Sequence, residues 1–219
     1  MIKEKTKEIL QNLPEGIDLV VAAKDRSREE IKQAIESGAK IIGENYLKQA
    51  KANYAFLGAK VKWHFIGHLQ KNKVRKAVKI FDMIETLDSL KLAEVINKES
   101  ERIKKVMPVL IEVNSASEPQ KFGVLPEEVV KFEEEISRFP NLKACGLMTM
   151  GPFTQDSEKI RPYFRKTKEI FSQIKNKNQN SRWKYLSMGM SSSYKTAIEE
   201  GANMIRVGTA IFGPRQREK

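Results

Sequence analysis

Small hydroxyl and glycine residues cluster twice near the C-terminus, at Ser187-Met-Gly-Met-Ser191 and at Gly208-Thr209. Each cluster closes an apolar run, Trp183–Met188 and Asn203–Val207, that reads as a strand, and a helix is expected between them over about Ser192–Glu200. Ser191 suits the N-cap of that helix, because a short hydroxyl accepts from first-turn amides. Gly201 suits the left-handed position after the last turn. Free amides, small hydroxyls and the positive end of a helix are what a phosphate dianion needs. An ordinary strand–turn–helix connection accounts for the same residues, so spacing alone leaves both readings open.

Other polar residues also stand at strand ends. Val20, Ala22 and Lys24 share one face of the apolar run Asp18–Ala23, so an inward Val/Ala pair aims the lysine beyond the strand end. A partly desolvated lysine amine is a nucleophile for Schiff-base formation; a lysine turned to solvent is the alternative. Arg206 and Gly208 share a face by the same alternation, and an inward Arg206 is either a fixed cation or the partner of a buried carboxylate. Asn45, after Lys40–Ile42, offers an amide or simply ends a turn. His64 and His68 have no Cys, Asp or Glu at ligand spacing, so they read as packing or hydrogen-bonding residues and no metal site is expected. Cys145 lies within an apolar strand as a small core residue, and Met148 and Met150 line or pack the strand ends.

The elements that position these residues repeat along the chain. Met1–Leu13 is an amphipathic helix closed by Pro14-Glu-Gly16. Asp18–Ala23 is apolar enough to be buried on both faces. Ser27-Arg-Glu-Glu30 is a capping box for a helix over Arg28–Ser37, and Lys40–Ile42 is the next strand. Strands follow at Val61–Ile66, Phe81–Thr86, Lys105–Val113 and Leu142–Met148. Helices are expected over Leu47–Leu57, Lys73–Lys79, Ser89–Ser100 behind Asp88 as N-cap, Glu127–Arg138 behind Pro126, and Ser157–Lys175. Alternating β and α segments ending in the pair at Trp183–Val207 imply a closed parallel (β/α)8 barrel of the TIM type with an extra N-terminal helix. An open doubly wound sheet would need a glycine fingerprint after the first strand, where Lys24-Asp-Arg-Ser stands. In such barrels phosphate sits on the loops after the seventh and eighth strands. Those loops are Ser187–Ser191 and Gly208-Thr209, which favours the phosphate reading.

Composition bounds the rest. The 219 residues, 40% hydrophobic and 31% charged, fit one globular barrel domain over residues 1–219. No apolar run approaches the ~18 residues of a membrane span, and Met1-Ile-Lys-Glu-Lys lacks the apolar stretch of a signal peptide. A single cysteine excludes an internal disulfide and suits a reducing cytoplasm. The formal net charge of +12, from 40 Lys and Arg against 28 Asp and Glu, raises nucleic acid as a partner. The basic residues are interleaved with glutamates and lack a stacking-aromatic motif, so neither nucleic acid nor membrane is an expected partner.

A lysine closing the first strand and a phosphate cradle at the last two together suggest pyridoxal 5′-phosphate. The segments V-A-A-K (Val21–Lys24), I-G-E-N-Y (Ile42–Tyr46), W-H-F-I-G-H-L-Q-K-N-K (Trp63–Lys73), K-F-G (Lys121–Gly123), G-L-M-T-M (Gly146–Met150), L-S-M-G-M-S (Leu186–Ser191) and R-V-G-T-A-I-F-G (Arg206–Gly213) occur in order over nearly the whole chain. Taken together the series resembles the pyridoxal phosphate homeostasis protein family, related to the barrel domain of alanine racemase.

The resemblance implies that Lys24 carries pyridoxal phosphate as a Schiff base and that Ser191, Gly208 and Thr209 hold its phosphate. Ser187 and Asn45 would lie beside the cofactor, and Arg206 would face the pyridine nitrogen, keeping it unprotonated and weakening the ring as an electron sink. Two departures stand out: Ala23-Lys24-Asp25 replaces the usual Ser-Lys-Thr, and Ser192-Ser193 replaces the acidic residue usual after Met-Ser. Racemases of the related type add a β domain with a second acid/base tyrosine. This sequence stops at Lys219, about where the barrel closes, so no such domain is expected. The implied role is that of a monomeric cytoplasmic protein without robust catalysis. It would hold pyridoxal phosphate, deliver it to apo enzymes and so influence amino- and keto-acid metabolism. A weak racemase or other amino-acid enzyme is the alternative.

Overall fold

Runs of β-branched and aliphatic residues buried on both faces need a sheet covered on both sides, and closure supplies one. The computed structural model describes residues 1–152, 154, 156–178 and 183–214. Its strands are β1 (Asp18–Ala22), β2 (Ile41–Glu44), β3 (Lys62–Phe65), β4 (Met83–Leu87), β5 (Met107–Glu112), β6 (Leu142–Met148), β7 (Tyr185–Ser187) and β8 (Met204–Val207). Each pairs in parallel with its sequence neighbours, and β1 closes on β8, with Asp18 opposite Met204 and Val20 opposite Arg206. The expected (β/α)8 barrel is the fold.

The barrel is wrapped by α1 (Ile2–Asn12), α2 (Arg28–Glu36), α3 (Leu47–Leu57), α4 (Val74–Ile80), α5 (Leu90–Glu101), α6 (Val129–Ile136), α7 (Ser157–Asn178) and α8 (Tyr194–Glu199), with α9 (Thr209–Phe212) directly after β8. The capping box forms as expected: Ser27 Oγ accepts from the Glu30 amide at 3.2 Å, and the Ser27 amide donates to Glu30 Oε2 at 2.8 Å. Asp88 does not cap α5. Ser89 takes the N-cap position, and the Asp88 carboxylate accepts from the Ser89 hydroxyl at 3.0 Å and lies 3.3 Å from His68 Nδ1. Strand β2 runs on through Gly43 and Glu44, which pair with His64 and Phe65, where sequence suggested a loop. The helix expected from Glu127 opens as a 3-10 turn over Pro126–Glu128 before α6 begins.

Alternation sorts the strand side chains. Val20, Ile41, Met83, Leu110, Cys145 and Met204 pack inside the barrel. Val21, Ile42, Trp63, Ile84, Ile111 and Ile205 pack outward under the helices. Strand β6 breaks the rule, because Cys145 and Met148 both point inward. A register shift explains it: Val109 pairs with Ala144, but Leu110 pairs with Gly146. Such a bulge re-aims every later side chain. Gly146 has φ +152°, and a Cβ there would lie 1.8 Å from the Tyr185 carbonyl oxygen, so the bulge requires glycine.

Candidate functional site

Strand β1 sends Val20 and Ala22 inward and Leu19, Val21 and Ala23 outward, which puts Lys24 in phase with the interior at the C-terminal mouth. Its Nζ lies 5.1 Å from the centroid of the Tyr46 ring. Among the described residues no carboxylate or carbonyl pairs with this amine, so the cation–π contact is what orients it.

At the end of β8 the backbone turns straight into α9, leaving first-turn amides without helical partners. Ser191 Oγ accepts from two of them, Gly208 at 3.3 Å and Ala210 at 3.1 Å. This corrects the expected cap. Helix α8 begins at Tyr194 with Ser193 as N-cap, because the chain makes a turn in which the Ser193 and Tyr194 amides both donate to the Met190 carbonyl. Ser191 is thereby freed to cap the neighbouring element. A Cβ on Gly208 would sit 3.0 Å from the Ala22 carbonyl oxygen, so glycine lets β8 end hard against β1. Thr209, the first residue of α9, is exposed at the rim.

Beneath the mouth lies a layer of buried polar side chains. Arg206, 4% exposed, donates through Nη1 to Ser187 Oγ at 2.6 Å and through Nη2 to the Thr149 carbonyl at 2.8 Å. Ser187 Oγ donates in turn to Glu85 Oε2 at 2.7 Å, and Glu85 Oε1 lies 2.7 Å from His64 Nδ1. Burial acts to raise the Glu85 pKa, but the hydrogen bond and charge of His64, aided by Arg206 and Ser187, outweigh it and hold the carboxyl below its ordinary value. Glu85 is therefore the acceptor and His64 Nδ1 the donor. Burial also lowers the Arg206 pKa, with Glu85 and Glu112 opposing. A buried guanidinium without such partners would carry an uncompensated desolvation cost. The network makes Arg206 a permanent, immobile cation.

The structure thus brings Ser187 onto Arg206 and Ser191 onto Gly208, and places Lys24 against Tyr46. Ser187 is fully buried and engaged on both sides. Asn45, half-buried after β2, faces a hollow between α3 and α4. Sequence reasoning passed over Tyr46, Glu85 and Glu112. Glu85 shares its face of β4 with Met83, and Glu112 its face of β5 with Leu110, so a lone acid in phase with inward apolar residues was the available signal. Glu112 Oε2 is buried without a hydrogen-bond partner among the described residues. Burial, with Asp88 adding and Arg206 opposing, pushes the Glu112 pKa to about 7. Among the described residues no group of His, Cys, Asp and Glu could hold a metal ion, and no helix is long and apolar enough to cross a membrane.

Barrel and mouth define a class, and residues 7–216 match the family model described as alanine racemase, N-terminal domain. An alanine racemase of Clostridium difficile has the same fold, with a TM-score of 0.83 at 15% identity over 99% of this chain and 57% of that one. Within that class the likeness narrows. The pyridoxal phosphate homeostasis protein of Aquifex aeolicus is 39% identical over 199 residues, 90% of this chain and 87% of its own length. The protein of that name from Homo sapiens is 35% identical over 213 residues, 92% of this chain and 78% of its own. The structure of PipY from Synechococcus elongatus with pyridoxal phosphate bound superposes with a TM-score of 0.89 at 29% identity, covering 97% of this chain and 100% of that one. The chain belongs to the pyridoxal phosphate homeostasis protein family, as its motif series implied.

Proposed function

We propose that this chain binds pyridoxal 5′-phosphate at the barrel mouth, as a Schiff base on Lys24, and holds it for delivery to apo enzymes that require it. The observation that carries the reading is the Lys24 amine, unpaired with any acid among the described residues, standing at the mouth at the end of β1, the strand that pairs with β8, after which the Gly208 and Ala210 amides converge on Ser191 Oγ. That cradle fits a phosphate: amides already aimed at one oxygen can serve another, and Gly208 leaves the approach clear. In this reading Ser191, Gly208 and Thr209 hold the phosphate, Asn45 flanks the ring, and Ser187 acts by fixing Arg206.

When bound, the cofactor supplies an aldehyde carbon and an electron-accepting ring. Arg206 would face the ring nitrogen as a donor that never gives up its proton, which would keep that nitrogen unprotonated and the ring a poor electron sink. Holding rather than turnover follows. The names of the relatives and the ligand in PipY support this role. We further infer that residues 1–219 act as one monomeric unit in a reducing cytoplasm, in keeping with the lone buried Cys145.

The test is an absorbance spectrum of the purified protein with added pyridoxal phosphate, before and after borohydride, beside Lys24→Ala. A band near ~420 nm that borohydride abolishes and the variant lacks is expected. A wild-type protein that never shows the band sinks the reading. Deuterium exchange at an amino acid's α-carbon, lost in Lys24→Ala, would instead establish a racemase-like enzyme.

A further inference from the structure

The ring of Tyr46 that carries Lys24 on one side is also the near wall of a groove of about 590 Å³ between α3 and α4. Its floor is apolar, built from Tyr46, Leu47, Phe65 and Leu69. Its rim is basic: Lys48 and Lys51 from α3 face Lys73 and Lys76 at the start of α4. Among the described residues none that lines it is acidic, and none of these four lysine ammonium groups makes a hydrogen bond or ion pair. Four unneutralised ammonium groups around one hollow repel each other, so an anionic occupant relieves a cost already present.

The groove does not end there. A second hollow of about 500 Å³ shares His68, Leu69 and Gln70 with the first and continues past Lys71 and Lys91 to Leu92. The acid on this stretch, Asp88, is already occupied by Ser89 and His68. The two hollows, joined through shared lining residues at the C-terminal rim, offer room for a stretch of polypeptide. This surface offers few open aromatic faces: Tyr46 carries the Lys24 ammonium on one face, and His68 is stacked on Phe122 at 3.6 Å between centroids. Single-stranded nucleic acid needs such faces free for its bases. A segment alternating carboxylates with aliphatic side chains matches both rim and floor.

We propose that this groove docks an acidic, leucine-type segment of the partner protein that receives the cofactor. The inference rests on the delivery reading above and adds the surface at which delivery begins. A partner seated there lies against Tyr46, the residue that orients the cofactor-bearing lysine.

Fluorescence anisotropy tests it with a labelled peptide of about ten residues alternating glutamate and leucine, titrated with the full-length chain at low and high salt. Two variants of equal charge change are compared. The groove variant carries Lys48→Glu, Lys51→Glu, Lys73→Glu and Lys76→Glu. The control carries Lys40→Glu, Lys60→Glu, Lys62→Glu and Lys79→Glu around a hollow at the N-terminal strand ends. The wild type is expected to bind, more weakly as salt rises; the groove variant loses at least about tenfold and the control less than about threefold. Circular dichroism and the borohydride-sensitive band are both read on every sample, so folding and cofactor binding are scored separately. Should the groove variant not fold, Lys48→Ser with Lys51→Ser replaces it, with a loss of about threefold or more expected.

Equal losses in groove variant and control overturn the proposal, since net charge alone would then explain binding. So does a wild type that shows the band yet ignores the peptide, which leaves the function reading standing. A single-stranded oligonucleotide of equal charge that binds more tightly and displaces the peptide reassigns the groove to nucleic acid. A wild type that binds peptide but never shows the band overturns the cofactor reading and with it the partner's identity.

Discussion

Ser187 Oγ donates to Glu85 Oε2 at 2.7 Å, joining β7 to β4 across the barrel from positions 102 residues apart in sequence. The bond is the middle link of a buried chain from His64 through Glu85 and Ser187 to Arg206. The Arg206 cation beneath the mouth is held by Ser187 on the neighbouring strand and by the Thr149 carbonyl, and through Ser187 by β4 across the barrel. Charge-assisted bonds of this kind are shorter and stronger than neutral ones, which suits a group that must not move.

Ser187→Ala leaves Arg206 Nη1 and one Glu85 oxygen unpaired in a fully buried setting. Stability is expected to fall by about 1–3 kcal/mol in urea unfolding, the cost of stranded buried polar groups. Affinity for pyridoxal phosphate falls with it, because Arg206 loses one of its two anchors. Unchanged unfolding would show that the interior accommodates the loss with water.

Ser191→Ala separates phosphate from ring recognition. It removes the oxygen on which the Gly208 and Ala210 amides converge. Titration near ~420 nm should show affinity for pyridoxal phosphate reduced roughly tenfold, about the value of one hydrogen bond to a charged group. Uptake of pyridoxal, which has no phosphate, should be unaffected. A matching loss for both ligands would place Ser191 against the ring.

Glu44, at the end of β2, makes a pH prediction. Its Oε1 accepts from Asn53 Nδ2 at 2.6 Å, while Oε2 is buried without a hydrogen-bond partner among the described residues. Burial raises its pKa from 4.5 to about 7, with Asn53 opposing and Asp25 adding. The folded chain therefore holds this proton more tightly than the unfolded chain. Its stabilising contribution is complete below about pH 4.5 and is lost as pH rises through about 7. Glu44→Gln removes that dependence, so its stability relative to wild type should improve by about 2 kcal/mol between pH 5 and pH 8. A difference that stays constant with pH would mean the carboxyl titrates normally.

Gly146→Ala challenges the bulge in β6. With the new Cβ 1.8 Å from the Tyr185 carbonyl oxygen, β6 and β7 cannot keep their pairing. A loss on the order of 3 kcal/mol or more is expected in thermal or urea unfolding, or failure to accumulate soluble protein. A variant that melts like wild type would show that the strand can slip back to strict alternation.

Period-two alternation is local, and it carried far. It put Lys24 in phase with Val20 and Ala22, and Arg206 in phase with Met204 and Gly208, before any packing was known. The ordered motifs also carried the family. Alternation failed at Cys145–Met148, because the bulge there depends on how β6 meets its neighbours.

The sequence by itself determined the repeating βα units, the closed barrel they imply, and which end of each strand carries polar residues. These follow from side-chain period and turn chemistry, which act over a few residues. Only the tertiary structure decided what each polar group touches. Ser191 capped α9 instead of α8 because barrel closure brought the end of β8 within reach of its hydroxyl. Glu85 met Ser187 because closure turns β4 and β7 toward one interior, and Lys48, Lys51, Lys73 and Lys76 came to share one groove because α3 and α4 pack side by side. Contacts between distant segments depend on the geometry of the closed barrel, and no local pattern encodes that distance.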